Sequence, residues 1–274
     1  MNSVSIYTVH YNKLEFLTLQ YNQLLKHCLD NFDYVVVNNG IDEETKSSIS
    51  EFCQKHNIRE IHIDQETRIN YCSHDHIMAL DYAYVNYIAK DTSLIRVVMD
   101  SDVIPFTDFS FKTIIGSHQI AGFKVFNYSS AIFTMYNNEV QLKDFNINGG
   151  GGDSGSGTGI LANIYDIKWI NITAPIREEE HQYIFKYHNV DVLKYDQSYG
   201  FQFIEKCFIH FYRGTGWDNG DYNYFNNKFN FLNYFLNYQN LIEIRLDDIV
   251  QYPDAFMDQW MYKDKYKLYL KLNS

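Results

Sequence analysis

Proline is scarce in this chain, three in 274 residues, and cysteine nearly so, with four. Cys28, Cys53, Cys72 and Cys207 are scattered with no C-x-x-C spacing. That pattern excludes a thiolate zinc site and a disulfide framework, and it fits a reducing compartment. Positive charge is also short: 23 Lys and Arg stand against 34 Asp and Glu, a net charge of −11. A nucleic-acid partner would need a basic face, so none is expected. No run reaches the roughly 18 apolar residues of a membrane span. Met1 to Ile6 has neither a basic n-region nor a long apolar h-region, so the expectation is a cytoplasmic protein without signal peptide or span. An α/β chain of this length buries about three quarters of its unfolded surface and needs no covalent staples.

The most informative stretch is Leu94-Ile95-Arg96-Val97-Val98-Met99-Asp100-Ser101-Asp102-Val103-Ile104-Pro105. Leu94 to Met99 is mostly apolar and β-branched, which predicts a buried strand of a parallel sheet. Asp100 and Asp102 follow where that strand ends, the edge at which open α/β sheets bind ligands. Two carboxylates one residue apart can turn toward one hard divalent cation such as Mg²⁺ or Mn²⁺. A solvated strand-to-loop turn is the simpler alternative.

Around that strand the pattern predicts strands over 3–10, 33–37 and 59–64, and helices over 13–29, 42–56 and 73–89. Ser73 is the expected N-cap of the third helix, and Met78, Ala79, Tyr82, Val85 and Tyr87 its apolar side. The order β-α-β-α-β-α-β implies a parallel sheet with right-handed crossovers. Beyond it, strands are expected over 120–128, 130–137 and 168–173. A helical turn is expected over 160–165, one strand over 201–212, a helix over 228–239 and an amphipathic segment over 254–272.

Three further groups carry candidate chemistry. His210 ends the apolar run Cys207-Phe208-Ile209, and an imidazole joining Asp100 and Asp102 suits Mn²⁺ better than an all-oxygen Ca²⁺ site. Cys72-Ser73-His74-Asp75-His76 invites a nucleophile or H-x-H metal reading. Residues two apart on a helix diverge, however, so a capped helix N-terminus fits better, an end that would still favour an anionic group such as pyrophosphate. The glycine-rich run 148–159 lacks the G-K-[ST] of a phosphate-binding loop and frames Asp153 with backbone that a substrate can approach.

Asp100-Ser101-Asp102-Val103, His76 through Leu80-Asp81, and His210-Phe211-Tyr212-Arg213-Gly214-Thr215-Gly216-Trp217 stand in an order that resembles GT-A-type glycosyltransferases, specifically the family 2-like group of bacteria and viruses. These match a D-S-D-V metal motif, an H-x-x-x-L-D helix start and an H-x-x-x-G-x-x-W closing motif. Two positions depart from the pattern: Ile77 stands where Gly is frequent, and Asn38-Asn39-Gly40 where an Asp-Asn pair is usual. The resemblance implies a GT-A fold, a Rossmann-like, mostly parallel sheet flanked by helices, with an acceptor-side second half. Residues 1–274 would form one domain: a nucleotide-sugar half (1–105), an acceptor half (106–220) and a C-terminal helical segment (221–274).

The implied activity is metal-dependent transfer of a hexosyl or pentosyl group from a UDP- or GDP-sugar to the hydroxyl of a glycan or other acceptor, inverting, with Mn²⁺ or Mg²⁺. Asp100, Asp102 and His210 would hold the metal. Thr8, Tyr11, Asn38, Asn39, His76, Asp100, Ser101, Arg213 and Trp217 would contact the donor. Asp153 would be the catalytic base, with Asp144 and the Glu178-Glu179-Glu180 run as alternatives. Two other functions compete. A haloacid-dehalogenase-type phosphohydrolase also carries D-x-D, but on its first strand, and a transferase-like fold can persist as a glycan-binding or structural subunit. Lys263, Lys265, Lys267 and Lys271, interleaved with Tyr and Leu, fit either a face docked on the domain or peripheral membrane contact.

Overall fold

The structure, a computed structural model, describes residues 3–63, 72–125, 128–142, 158–161, 163–170, 185–187, 201–211, 222–237 and 242–244. Short apolar runs punctuated by polar turns make the central sheet. Its strands are β1 (Val4–His10), β2 (Phe32–Asn38), β3 (Arg59–His62), β4 (Ile95–Met99), β6 (Ile120–Val125), β7 (Tyr128–Asn137) and β8 (Ile167–Trp169). They lie in the order β3-β2-β1-β4-β7-β6-β8. β7 runs antiparallel to β4 and β6, and the other six strands share one direction. The expected mostly parallel α/β sheet is what the chain forms. β1 has β2 on one side and β4 on the other, so strand order reverses between β1 and β4. Crevices at such a reversal, outside the carboxyl ends of the strands, are where open α/β sheets take ligands.

Both faces of the sheet are covered, which is why β1, β2 and β4 read as continuous hydrophobic runs. Ile6, Tyr34, Val36 and Val97 pack with Leu17 and Leu24 of α1 (Leu14–His27) and with Ile49 and Cys53 of α2 (Glu43–His56). Tyr7, Val9, Val35, Val37 and Val98 pack with Ala79, Leu80, Ala83 and Tyr84 of α3 (Cys72–Asn86). Asp42 caps α2, accepting a hydrogen bond from the Thr45 amide at 2.8 Å. Asn57 closes the helix at φ 53°. A 3-10 turn (Ile88–Lys90) and the short α4 (Phe111–Ile115) and α5 (Thr158–Leu161) complete this part.

A second layer sits beside the carboxyl edge. β5 (Val103–Pro105) pairs with β11 (Phe208–His210), which pairs with β10 (Gln202–Ile204), all antiparallel. Phe16 of α1, Ile104, Phe106, Phe201, Phe203, Ile209 and Phe211 form an aromatic core with Leu232 and Phe235 of α6 (Tyr222–Asn237). β9 (Phe185–Tyr187) pairs with β12 (Ile242–Ile244).

Several expectations are corrected. Ser73 is the second residue of α3 and so not its N-cap. The side of α3 expected to be apolar and buried is largely the outer one. Met78, Tyr82 and Val85 are 42–59% exposed, while Ala79, Leu80, Ala83 and Tyr84 are buried. This helix is apolar nearly all round, so periodicity could not choose a face. Residues 201–212 are no single strand: the chain reverses between Ile204 and Cys207, with Glu205 and Lys206 at φ 47° and 59°. α6 begins at Tyr222, ahead of the expected 228. The glycine-rich run 148–157 and the lysine-bearing segment 254–272 lie outside the described residues.

Candidate metal and nucleotide site

β4 delivers Asp100 to the carboxyl edge of the sheet, beside the reversal of strand order. The Asp100 amide still donates to Ile132 of β7 at 2.8 Å, and the Val103 amide then donates back to the Asp100 carbonyl at 3.1 Å. This closes a tight turn that carries Asp100, Ser101 and Asp102. Antiparallel pairing of β5 with β11 sets His210 opposite Val103, and the Phe211 amide donates to the Asp102 carbonyl at 2.9 Å. Residues more than a hundred positions apart in the chain therefore meet. His210 Nε2 lies 3.3 Å from Asp102 Oδ1. Asp100, Asp102 and His210 each offer a ligand atom, all within 4.8 Å of one another.

That donor set fits a divalent cation. Two oxygens and an imidazole nitrogen suit Mn²⁺ or Mg²⁺, whose bond lengths of about 2.1 Å place neighbouring ligand atoms about 3 Å apart. Asp102 and His210 are 5% and 3% exposed, so two of the three candidate ligands are fixed by packing. Asp100 is partly exposed, which suits an ion that must also meet a substrate. The other imidazole nitrogen is committed: Nδ1 lies 2.9 Å from Gln202 Oε1, its cross-strand neighbour. A carbonyl oxygen can only accept, so Nδ1 donates to Gln202 and Nε2 is the ring nitrogen turned toward the carboxylates. Behind β11, buried Lys228 of α6 donates to the Phe211 carbonyl and lies 4.3 Å from the Phe211 ring centroid.

His76 is also brought here, its Nε2 3.2 Å from Asp100 Oδ1. The helix already includes Cys72, so positions 74 and 76 fall on different sides of it. Ser101 is buried within the turn. Thr8 is 1% exposed, with its hydroxyl 3.4 Å from His10 Nε2. Tyr11 accepts the Ile41 amide through its carbonyl at 3.0 Å.

Asn38 forms the turn that its Asn-Asn-Gly context suggests. Its side-chain oxygen accepts the Gly40 amide at 3.1 Å, and its amide nitrogen meets the Lys46 carbonyl at 2.9 Å and Glu60 at 2.6 Å. Gly40 permits this close approach, since a Cβ there would lie 2.7 Å from the Lys46 backbone nitrogen. Asn39 donates from its side chain to the Asp75 carbonyl at 3.2 Å, joining β2 to the start of α3. Asp153, Arg213 and Trp217, with Asp144 and Glu178–Glu180, lie outside the described residues.

Three residues near the site escaped sequence reasoning: Gln20, Gln202 and His10. Gln20 had one signal, a polar residue within the apolar stripe of α1. Gln202 had none, because its place depends on the unforeseen hairpin. His10 ends β1, 2% exposed, and burial pushes its imidazole down to about 3 against a smaller opposing pull from Asp102. It is therefore a neutral group beside the acidic turn.

No family model matches the chain, and no curated protein does. Among solved structures, the chain is similar to a mannosyltransferase from Pyrobaculum calidifontis, solved with GDP-Man and Mn²⁺. Identity is 13% and the TM-score 0.42, over 61% of this chain and 54% of that one. It is also similar to residues 1–349 of S. aureus TarS, at 16% identity and TM-score 0.33, over 50% of this chain and 47% of that one. The chain thus spans about half the length of each. Likeness this low says nothing about activity.

Proposed function

We propose that the chain is a glycosyltransferase that moves a sugar from a nucleotide-diphosphate donor, UDP- or GDP-linked, to an acceptor hydroxyl on a glycan or similar molecule. The observation that carries this reading is the convergence of Asp100, Asp102 and His210 within 4.8 Å at the ligand-binding edge of the sheet. It joins the ordered motifs at 76–81, 100–103 and 210–217 in a single account.

In this reading Asp102 and His210 would hold Mn²⁺ (or Mg²⁺), and Asp100 would reach it directly or through the donor ribose and a water. When bound, the ion neutralises charge on the leaving diphosphate. Thr8, Tyr11, Asn38 and Asn39 line the ends of β1 and β2, where base and ribose would rest. Asn38 acts there by shaping the turn, since its amide is committed to protein partners. His76 and Ser101 flank the diphosphate beside Asp100. Arg213 contacts the pyrophosphate, Trp217 packs behind the donor, and Asp153 takes the acceptor proton in an inverting transfer. The phosphohydrolase alternative wants its nucleophilic Asp after the first strand, whereas β1 ends in His10.

Incubation with a panel of UDP- and GDP-sugars and Mn²⁺ tests this. Release of nucleoside diphosphate, faster with an acceptor glycan, is the expected result. Release of inorganic phosphate from a monoester instead supports the phosphohydrolase, and turnover of neither supports the glycan-binding subunit.

A further inference from the structure

The metal-bearing turn hangs from a neighbouring helix by one side chain. Gln20, on the inner face of α1, is 0% exposed. Its Nε2 donates to the Asp100 carbonyl at 2.7 Å and to the Val103 carbonyl at 2.8 Å, the two ends of the turn. One amide nitrogen carries two hydrogens, so both are spent on these bonds. The remaining amide oxygen accepts the Tyr34 hydroxyl at 2.6 Å, which fixes which way the amide faces. Tyr34 in turn lies 3.4 Å from His10 Nε2, and Thr8 touches the same nitrogen at 3.4 Å. A buried chain of polar groups thus runs from the end of β1, through β2 and α1, to both flanks of Ser101-Asp102.

We infer that Gln20, held by Tyr34, is a positioning residue for the metal site, setting the turn so that Asp100 and Asp102 face His210 before any ion arrives. Helix stability gives no reason for a glutamine here: its neighbours on the inner face of α1 are Phe16, Leu17 and Leu24, and the other buried polar residue, His27, lies in the last turn. A leucine or methionine would pack there without needing hydrogen-bond partners. The glutamine matches a local demand: two carbonyls flanking a turn at the edge of a sheet, both pointing into the protein. Its polar atoms meet backbone carbonyls and Tyr34, never a carboxylate, so it acts on the ligands only through the backbone that carries them. Partners that orient metal ligands in this way commonly change metal affinity by about 10–100-fold when removed.

The inference rests on the metal reading above, and the test separates the two. Mn²⁺ binding to the full chain is followed by loss of the free-ion electron paramagnetic resonance signal, with thermal unfolding of the metal-free protein measured in parallel. Gln20→Met keeps the volume and removes both donors. Tyr34→Phe keeps Gln20 and frees its amide to turn. Gln20→Met is expected to weaken Mn²⁺ by about tenfold or more, with a changed spectrum of the bound ion, and Tyr34→Phe to weaken it by less. Should Gln20→Met fail to fold, the Tyr34→Phe shift alone decides. Folded variants that lose thermal stability yet bind Mn²⁺ with wild-type affinity and spectrum overturn the positioning role. Absence of Mn²⁺ binding by the unaltered protein overturns the metal reading and the inference with it.

Discussion

Strand β4 carries buried charge near both of its ends, and the two are handled in opposite ways. Near its start, Arg96 is 3% exposed and turns its terminal nitrogens to the protein: Nη2 donates to the carbonyls of Asn137 at 2.6 Å and Val140 at 2.8 Å, and Nη1 reaches Ile88 at 3.4 Å. Burial lowers its pKa, with Asp91 opposing that fall. Just past the other end, Asp100, Asp102 and His210 form a cluster whose ligand atoms lie within 4.8 Å of one another. Gln20 and Gln202 touch the backbone of the turn and the far side of the imidazole, and His76 Nε2 meets the Asp100 carboxylate itself at 3.2 Å. A buried charge answered by backbone carbonyls is architecture. A group of three potential ligands held in place by neighbouring side chains is what the proposed metal site requires.

The comparison breaks if the two ends respond alike to substitution. The largest stability effect is expected at the Arg96 end. Arg96→Met removes the side-chain donor from three carbonyls, two of which keep a backbone amide, and should cost about 3 kcal/mol in urea unfolding, while Mn²⁺ affinity stays within about twofold. Mn²⁺ affinity falling in step with stability would show that the two ends are not separable.

The next effect is a pH dependence at the carboxyl edge. His10 has a pKa of about 3 in the fold against 6.5 unperturbed. Its folded value is the lower one, so the unfolded chain takes up the proton first. The stability that His10 supports is therefore intact above about pH 6.5 and is lost as pH falls toward 3. At about 1.4 kcal/mol per pH unit, metal-free protein should lose about 2 kcal/mol between pH 7.5 and 5. His10→Asn should flatten that slope in matched urea titrations, and an unchanged slope would remove His10 as its source.

The smallest effect concerns the hairpin that delivers His210. Glu205 and Lys206 hold φ 47° and 59° without being glycine, a conformation that costs L-residues about 1 kcal/mol each. Lys206→Gly should raise stability by about 1 kcal/mol or less in the same assay and leave metal affinity alone.

How far the sequence could be read follows from which forces are local. The strands β1, β2 and β4, the helices between them and the Asp100-Ser101-Asp102 turn announce themselves through contiguous apolar runs and the polar residues that stop them. The packed side of α3 was misjudged because Met78, Tyr82 and Val85 are as apolar as the buried Ala79, Leu80, Ala83 and Tyr84, and only the close approach to the sheet selects the small residues. The β10–β11 hairpin was missed because its turn lacks the glycine or asparagine that left-handed positions favour. Once the hairpin is seen, the partnership of His210 with Gln202 follows from register alone. Gln20 depends on distances across three elements, which no one-dimensional pattern carries.

The central claim is that Asp102 belongs to a metal site that holds a nucleotide. Titration calorimetry of UDP and GDP into wild-type protein and Asp102→Asn, each with and without Mn²⁺, addresses it most directly. The wild type should bind a nucleotide appreciably only when Mn²⁺ is present, and Asp102→Asn should lose that Mn²⁺-dependent binding while remaining folded. Equal nucleotide affinity in the two proteins with Mn²⁺ present would contradict the account.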